Sequence, residues 1–370
     1  MLYYLKDLSL FWGPFRLFEY QTFRAMLAGA VALLIGFAIA PYVLRRLRDL
    51  RQPERDAKLM GELARQGGKV PTMGGILVLV PSVVAVLLCA QLNVHVVAAL
   101  VVYLGMSAVG WIDDYRKVKF NSSDGISGRA KMGGQIVFAL AAVAVLLCAP
   151  SRAVRVDVLE VWVPFVKTAV LSADALPWAL GAALAMAFFC VVTVGASNAV
   201  NLTDGLDGLA IGCVISTTMI FGIVAYLSGH AEFASYLHIS HVSGAGELAV
   251  LCAALLGGSM VFLWYNAAPA EVYMGDVGAL GLGGAIGAVA FMTNHPFLLV
   301  IVGGVFVAEA LSVILQVAYF KRTGGQRIFL MTPIHHHFQK KGWPVTKIVI
   351  RFWLLSLLCG IVGLITLKLR

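Results

Sequence analysis

The stretch FRAMLAGAVALLIGFAIAPYV at residues 23–43 decides the fold class of this chain. It is almost entirely apolar, and an α-helix needs about 20 mostly apolar residues to cross the hydrocarbon core of a bilayer. Stretches of the same character recur along the rest of the sequence. They predict an all-α polytopic membrane protein with ten transmembrane helices, at residues 23–43, 73–92, 94–112, 132–149, 178–197, 206–227, 247–265, 277–293, 296–320 and 349–367.

The composition agrees with a protein dissolved in lipid. Of the 370 residues, 60% are hydrophobic and 13% are charged, whereas soluble domains are about half apolar and a quarter charged. No polar stretch is long enough to fold separately, so residues 1–370 are predicted to form a single integral-membrane domain. The six cysteines show no paired spacing, which argues against a disulfide framework or a zinc ribbon.

The distribution of Lys and Arg predicts the orientation in the membrane. Residues 44–72, 113–131 and 321–348 hold eight, five and six basic residues, whereas residues 150–177 hold three and residues 228–246 hold none. Basic loops stay on the cytoplasmic side, and with ten spans these three loops share one side. Both termini are therefore predicted to be periplasmic, in a bacterial inner membrane, with a short periplasmic hairpin near residues 151–175.

The net charge of +9 fits contact with anionic headgroups or anionic substrates, and it does not choose between them. Because the basic residues lie in short loops between apolar spans, nucleic acid is not an expected partner.

Four polar clusters fall at the predicted cytoplasmic ends of the spans. They lie at residues 113–117, 198–207, 274–278 and 335–337. Because four separate loops place polar groups on the same face, the sequence predicts a cytoplasmic active-site cleft.

The first cluster contains two adjacent carboxylates, Asp113 and Asp114. Like charges at a helix end repel each other, and a divalent cation or a nearby Lys removes that penalty. Lys117 lies four residues beyond Asp113, on the same face if the helix continues. These groups suit a metal-bound anionic diphosphate, and the alternative is a solvated helix end.

The second cluster repeats a polar residue every three positions, at Asn198, Asn201, Asp204 and Asp207. This spacing predicts one continuous polar face. Amides and carboxylates on it could hold a base, a ribose and a metal ion, and the alternative is a polar turn.

The last two clusters leave more than one interpretation open. Asp276 lies at a predicted helix N-terminus, where a carboxylate either stabilises the helix dipole or holds magnesium. In the triplet His335, His336 and His337, neighbouring side chains of a regular helix point about 100° apart, so zinc chelation is disfavoured. In a loop, one or two of these histidines could donate hydrogen bonds to phosphate.

Together these motifs resemble the polyprenyl-phosphate N-acetylhexosamine-1-phosphate transferase superfamily. The pieces that carry the resemblance are Asp113-Asp114-x-x-Lys117, Asn198-x-x-Asn201-x-x-Asp204-Gly-Leu-Asp207, Met274-Gly-Asp276 and Pro333-Ile-His335-His336-His337, with residues 71–75, 326–329 and 342–344. The His triplet points to the branch that uses UDP-MurNAc-pentapeptide, because relatives acting on UDP-N-acetylglucosamine look different there.

The resemblance implies a magnesium-dependent enzyme that converts UDP-MurNAc-pentapeptide and undecaprenyl phosphate into lipid I and UMP. It also implies a homodimer in the lipid bilayer. By position, Asp276 is the expected magnesium ligand, and Asp113, Asp114 and His336 are expected to join it in catalysis. The expected substrate contacts are Thr72, Lys117, Lys131, Asn201, Asp204, Asp207, Asn266, Tyr273, Gln316, His335 and His337.

Two features depart from the family pattern. Tyr273 stands where the family often has Phe, a change that keeps stacking on a base possible. The family Lys that precedes Pro71 by a few residues is replaced by Gly67, with Lys69 two residues nearer.

Two alternatives follow from the sequence as well. A phosphoryl transfer in one displacement, with Asp113 as the base, competes with a covalent aspartyl intermediate. A transporter or lipid-binding scaffold would move its substrate without releasing UMP.

Overall fold

The computed structural model describes residues 1–50, 70–120, 125–166, 168–172 and 175–368. Two short 3₁₀-helices, Leu2–Leu8 and Gly13–Glu19, precede the α-helices. The α-helices are α1 Gln21–Asp49, α2 Ile76–Cys89, α3 Val94–Phe120, α4 Gly128–Leu147, α5 Arg152–Leu159, α6 Trp178–Thr203, α7 Leu209–Gly229, α8 Ala231–Leu237, α9 Glu247–Asn266, α10 Gly275–Met292, α11 Leu298–Val302, α12 Gly304–Arg322, α13 Ile334–Lys340 and α14 Val345–Lys368. Gly67 and Lys69 lie outside the described residues.

The helices confirm a polytopic membrane protein. In the described ranges, nine helices are long and apolar enough to cross a bilayer, and α2 is a shorter apolar helix of 14 residues. Each of the ten predicted spans overlaps one of these ten helices. The number of crossings and the side on which the termini lie stay predictions of the hydropathy and the basic loops.

One predicted span is not a single helix. The span predicted at residues 296–320 is interrupted at Gly303, where α11 ends before α12 begins. The helix that contains the span predicted at residues 94–112 continues to Phe120. That continuation is compatible with the predicted span, because a helix can extend beyond its apolar stretch.

The hairpin predicted near residues 151–175 is partly helical. Residues 152–159 form α5, which buries Val154, Val158 and Leu159 along one side. After it, Val161 and Leu171 form a single antiparallel bridge, with a 3.0 Å hydrogen bond from Val161 N to Leu171 O. The chain therefore turns back on itself as predicted, but only after one short amphipathic helix.

The centre of the bundle is α10, which packs between α3 and α6. Every residue from Asp276 to Met292 is buried. Glycines make this possible: a Cβ on Gly283 would lie only 2.7 Å from the Cα of Ser197 in α6. Small residues let helices approach closely in lipid, so these glycines serve helix packing rather than a phosphate-binding loop.

A buried ion pair joins the first turns of α1 and α9. Arg24 donates two hydrogen bonds of 2.6 Å to the carboxylate of Glu247, which also accepts a 2.8 Å bond from the backbone N–H of Gln91. Removing one partner would leave the other charge buried and uncompensated. This pair therefore fixes α1 against α9.

Candidate active site

The end of α3 carries the first part of the site. Because α3 continues to Phe120, Lys117 lies on the same face as Asp113, as predicted. Lys117 Nζ lies 2.6 Å from Asp113 Oδ2 and 3.6 Å from Asp114 Oδ1. Backbone groups hold the other oxygens: Ile126 N donates to Asp113 Oδ1 at 2.7 Å, and Val277 N donates to Asp114 Oδ2 at 3.2 Å.

Asp276 lies in the first turn of α10 and connects most of the site. Its Oδ1 accepts a 2.7 Å hydrogen bond from Asn201 Nδ2 at the end of α6. Its Oδ2 lies 3.4 Å from Lys117 Nζ and also pairs with Lys131 Nζ from the first turn of α4. One carboxylate thereby links helices α3, α4, α6 and α10.

The three carboxylates Asp113, Asp114 and Asp276 form one buried cluster. Each is at most 8% exposed, and each offers an oxygen within 4.8 Å of the other two. These three carboxyl groups lie beside two ammonium groups, those of Lys117 and Lys131. Hard cations such as magnesium prefer carboxylate oxygens, and the three aspartates could hold one.

A loop before α2 packs against the start of α10. The backbone N–H groups of Gly74 and Gly75 donate to the carbonyls of Tyr273 and Met274, at 2.8 and 2.9 Å. Tyr273 N in turn donates to Pro71 O at 2.8 Å. Thr72 is therefore held beside Tyr273 and the N-terminal turn that carries Asp276.

The predicted nucleoside side forms a second group of residues. Asp204 directly follows the last residue of α6, and the turn after it leads into α7. Asp207 Oδ2 accepts a 3.1 Å hydrogen bond from Ala270 N. The amide of Asn266 accepts from Gly208 N at 2.9 Å and donates to Val272 O at 2.8 Å. Asn266 thus anchors the turn to the segment before α10.

The His triplet lies in the short helix α13, not in a loop, and its side chains diverge. His335 is fully buried, with Nδ1 3.1 Å from Glu309 Oε2. His336 Nδ1 donates to Gln339 Oε1 at 3.0 Å. His337 Nδ1 accepts a 3.1 Å bond from Leu330 N. The helix spans residues 334–340 and begins directly after Pro333, so of the two conformations considered for the triplet, helix and loop, the structure has the helix.

His337 and Gln316 hold the segment before α13. Gln316 Oε1 accepts hydrogen bonds from Ile328 N and Phe329 N, at 2.9 and 3.0 Å, and its Nε2 donates to Phe329 O at 3.0 Å. Burial and the nearby charge of Lys341 lower the pKa of His337. This direction agrees with the hydrogen bond from Leu330 N, because an Nδ1 that accepts a hydrogen bond carries no proton.

Relatives of this chain cover its whole length. Residues 96–294 match the family model of glycosyl transferase family 4. The chain is 48% identical to the phospho-N-acetylmuramoyl-pentapeptide-transferase of Opitutus terrae, 45% to that of Solidesulfovibrio magneticus and 44% to that of Maridesulfovibrio salexigens, with 100% of both chains covered each time. The chain belongs to the phospho-N-acetylmuramoyl-pentapeptide-transferase family.

The segment that matches the family model contains most of the residues that meet at the candidate site. The segment at 96–294 includes the carboxylate cluster, both lysines and Asn201. Thr72, Gln316 and the His triplet lie outside that segment, but within the full-length alignments to the transferases.

Two buried polar residues next to the transferase site carried no predicted role. Gln135 in α4 donates to Ser197 Oγ at 3.1 Å and accepts from Asn198 Nδ2 at 3.0 Å, which ties α4 to the polar end of α6. Glu309 in α12 pairs with His335. The sequence does mark both residues as unusual, because a polar side chain inside an apolar span is costly and needs a partner. What the sequence lacked was the identity of that partner.

Proposed function

We propose that this chain transfers phospho-MurNAc-pentapeptide from UDP-MurNAc-pentapeptide to undecaprenyl phosphate, giving lipid I and UMP. The named relatives are transferases of the phospho-N-acetylmuramoyl-pentapeptide group, and they match the chain from end to end. The observation that carries the proposal is the buried cluster of three carboxylates and two lysines at the polar ends of three apolar helices, which Asn201 joins to a fourth. A soluble diphosphate substrate and a lipid phosphate would meet there.

Magnesium is the proposed cofactor. Asp276 is the proposed ligand, with Asp113 and Asp114 beside it, and the all-oxygen donor set supports this choice. When bound, the ion would offset charge on the diphosphate and on the UMP that leaves.

The two lysines are proposed to bind the diphosphate of UDP-MurNAc-pentapeptide. Phosphoryl transfer depends on positioning and on charge neutralisation more than on covalent chemistry. Lys117 and Lys131 already lie against Asp276, where their ammonium groups can shift to substrate oxygens as it enters. Asp204, Asp207 and Tyr273 would line the nucleoside, and His336 would contact the phosphates.

The proposed reaction is a single displacement. An oxygen of the lipid phosphate attacks the phosphorus that bears the sugar, a new P–O bond forms, and the bond to the UMP oxygen breaks with its electron pair. Asp113 is the candidate base for a proton on the lipid phosphate. Because a phosphate monoester is already largely dianionic near pH 7, its contribution is expected to be modest.

An apolar groove supports binding of the polyprenyl chain. A cavity of about 340 Å³ lies between α6, α10, α11 and α12, and it is lined from Phe188 to Val200 along α6. At 1.5 Å per residue this lining is about 18 Å long. Val200 directly precedes Asn201, which bonds to Asp276. Val191 and Val300 on the groove are 70% and 55% exposed, as suits a surface facing lipid.

The proposed site faces the cytoplasm of a bacterial inner membrane, and the protein is proposed to act as a homodimer. The three basic loops support this orientation. A nucleotide sugar is a soluble molecule, so it would enter the site from the cytoplasm. The phosphate of the lipid acceptor would then have to lie at that same side of the membrane.

Magnesium-dependent release of UMP tests the proposed function. Purified protein with undecaprenyl phosphate is expected to release UMP from UDP-MurNAc-pentapeptide, to lose that activity with EDTA, and to recover it when magnesium is restored. UDP-N-acetylglucosamine serves as the control donor and is expected to be a poor substrate. Substrate movement without UMP release would instead favour a transporter.

A trapping experiment tests the single displacement. Protein incubated with magnesium and UDP-MurNAc-pentapeptide labelled in its sugar phosphate, without lipid acceptor, is expected to carry no covalent label after denaturation. A stable label on the wild-type protein that is lost in Asp113→Asn or Asp114→Asn would contradict one displacement and favour a covalent intermediate.

A further inference from the structure

Glu309 and His335 form a fully buried pair beneath the site. Glu309 lies in the second turn of α12 and His335 in the first turn of α13, and both side chains are 0% exposed. His335 Nδ1 lies 3.1 Å from Glu309 Oε2, and the backbone N–H of His335 donates to the same oxygen at 3.5 Å. In the described parts of the chain, no other ion pair reaches Glu309. A carboxylate inside an apolar helix is costly, and such a residue is a candidate for a functional role.

The His335 ring supports the turn that carries two predicted nucleoside contacts. Its Nε2 points at Gly205, between Asp204 and Asp207, and a Cβ at Gly205 would overlap the ring. On its other side the ring lies 4.1 Å from the ring of His336, measured between centroids. One buried imidazole therefore touches both the turn after α6 and the predicted phosphate contact.

We infer that Glu309 is a positioning residue, which holds His335 against Gly205 and thereby sets the Asp204–Asp207 turn for the nucleotide substrate. This inference rests on the proposed function for its substrate, and on the buried contacts for its geometry. The carboxylate fixes which way the ring faces, because Nδ1 must stay on Glu309 while Nε2 stays under the turn. His335, being fully buried, then acts through its neighbours rather than by touching the substrate.

The pair is suited to this task because each buried polar group has the other beside it. The 3.1 Å contact between His335 Nδ1 and Glu309 Oε2 is directional, and it spares either group from lying alone in an apolar interior. An apolar residue in place of Glu309 would fill the space but would let the ring rotate.

Kinetics of Glu309 variants separate positioning from simple packing. Glu309→Leu fills the space with an apolar side chain, but it is expected to lower the thermal unfolding temperature, because removing one partner of a buried pair is destabilising. It is expected to raise KM for UDP-MurNAc-pentapeptide roughly tenfold, because small misplacement of binding groups is costly, and to leave KM for undecaprenyl phosphate unchanged. Glu309→Gln keeps an acceptor for Nδ1 and is expected to restore most of the lost affinity.

Glu247→Gln is the matched control, because it alters a buried carboxylate paired with Arg24 in the first turns of α1 and α9. It is expected to lower the thermal unfolding temperature without changing either KM. If Glu309→Leu behaves like this control, or raises both KM values equally, the positioning role is wrong.

A double variant tests the contact independently of activity. Gly205→Ala is expected to lower the thermal unfolding temperature, because the added methyl meets the His335 ring, and a second change, His335→Ala, is expected to restore much of that loss. If the double variant is no more stable than Gly205→Ala, the contact is refuted. This measurement holds even if the wild-type protein releases no UMP, so failure of the proposed function and failure of the positioning role remain distinguishable.

Discussion

Asp276→Asn is expected to reduce UMP release by on the order of 10³-fold, as loss of a group that stabilises transition-state charge does. Asp276 is the residue on which Lys117, Lys131 and Asn201 converge. Asn has nearly the same shape, so the helix packing should survive. It lacks the charge that would hold magnesium and orient both ammonium groups. The measurement is the initial rate of UMP release at saturating magnesium.

Asp157→Asn in α5 is the control for this change, because it removes a partly buried carboxylate outside the site. It is expected to leave the rate of UMP release near that of the wild type. Activity of Asp276→Asn within a few-fold of the wild type would refute Asp276 as the proposed ligand.

Lys117→Met is expected to lower kcat/KM for UDP-MurNAc-pentapeptide by about 100-fold, the scale of one lost electrostatic contact in a water-excluded site. The ammonium group of Lys117 lies between three buried carboxylates, at 2.6, 3.6 and 3.4 Å. Methionine keeps the length of the chain and removes the charge. The diphosphate would then enter a cluster whose negative charge only Lys131 offsets.

Lys119→Met gives a matched control on the same helix. Lys119 is exposed and lies over the rings of Tyr115 and Phe120, 5.8 and 5.9 Å from their centroids. Its loss should change kcat/KM by less than about twofold, because exposed charges contribute little. Equal effects of the two substitutions would mean that the net charge of the helix end, and not the position of Lys117, is what matters.

Local patterns in the sequence predicted most of the helices. Apolar length identified a helix at every predicted span, and the four-residue spacing of Asp113 and Lys117 correctly placed them on one face. The features that were not predicted lie where neighbouring residues in the sequence give no indication of them. Nothing in the hydropathy of residues 296–320 marks the break at Gly303, and nothing near the His triplet marks its helix.

The partners of the buried polar groups could not be predicted from the sequence. Asp114 and Val277 are hydrogen-bonded across 163 residues of sequence, and Glu309 finds His335 in a different helix. Several predicted substrate contacts, such as Asn266 and Gln316, make hydrogen bonds that hold the site's own backbone. The contacts of these residues with substrate stay predictions. Their hydrogen bonds show only how the backbone of the protein holds their side chains in place.

The amino-acid sequence by itself determined that this chain is a membrane protein of the transferase family with polar motifs at the ends of its spans. Hydropathy and motif spacing are properties of neighbouring residues, so they can be recognised before folding is considered. Only the tertiary structure decided that Asp113, Asp114 and Asp276 share one cluster with two lysines. It also decided that His335 lies buried between Glu309 and Gly205. Such contacts depend on how α3, α6, α10 and α12 pack, and that packing is set by side chains far apart in the sequence.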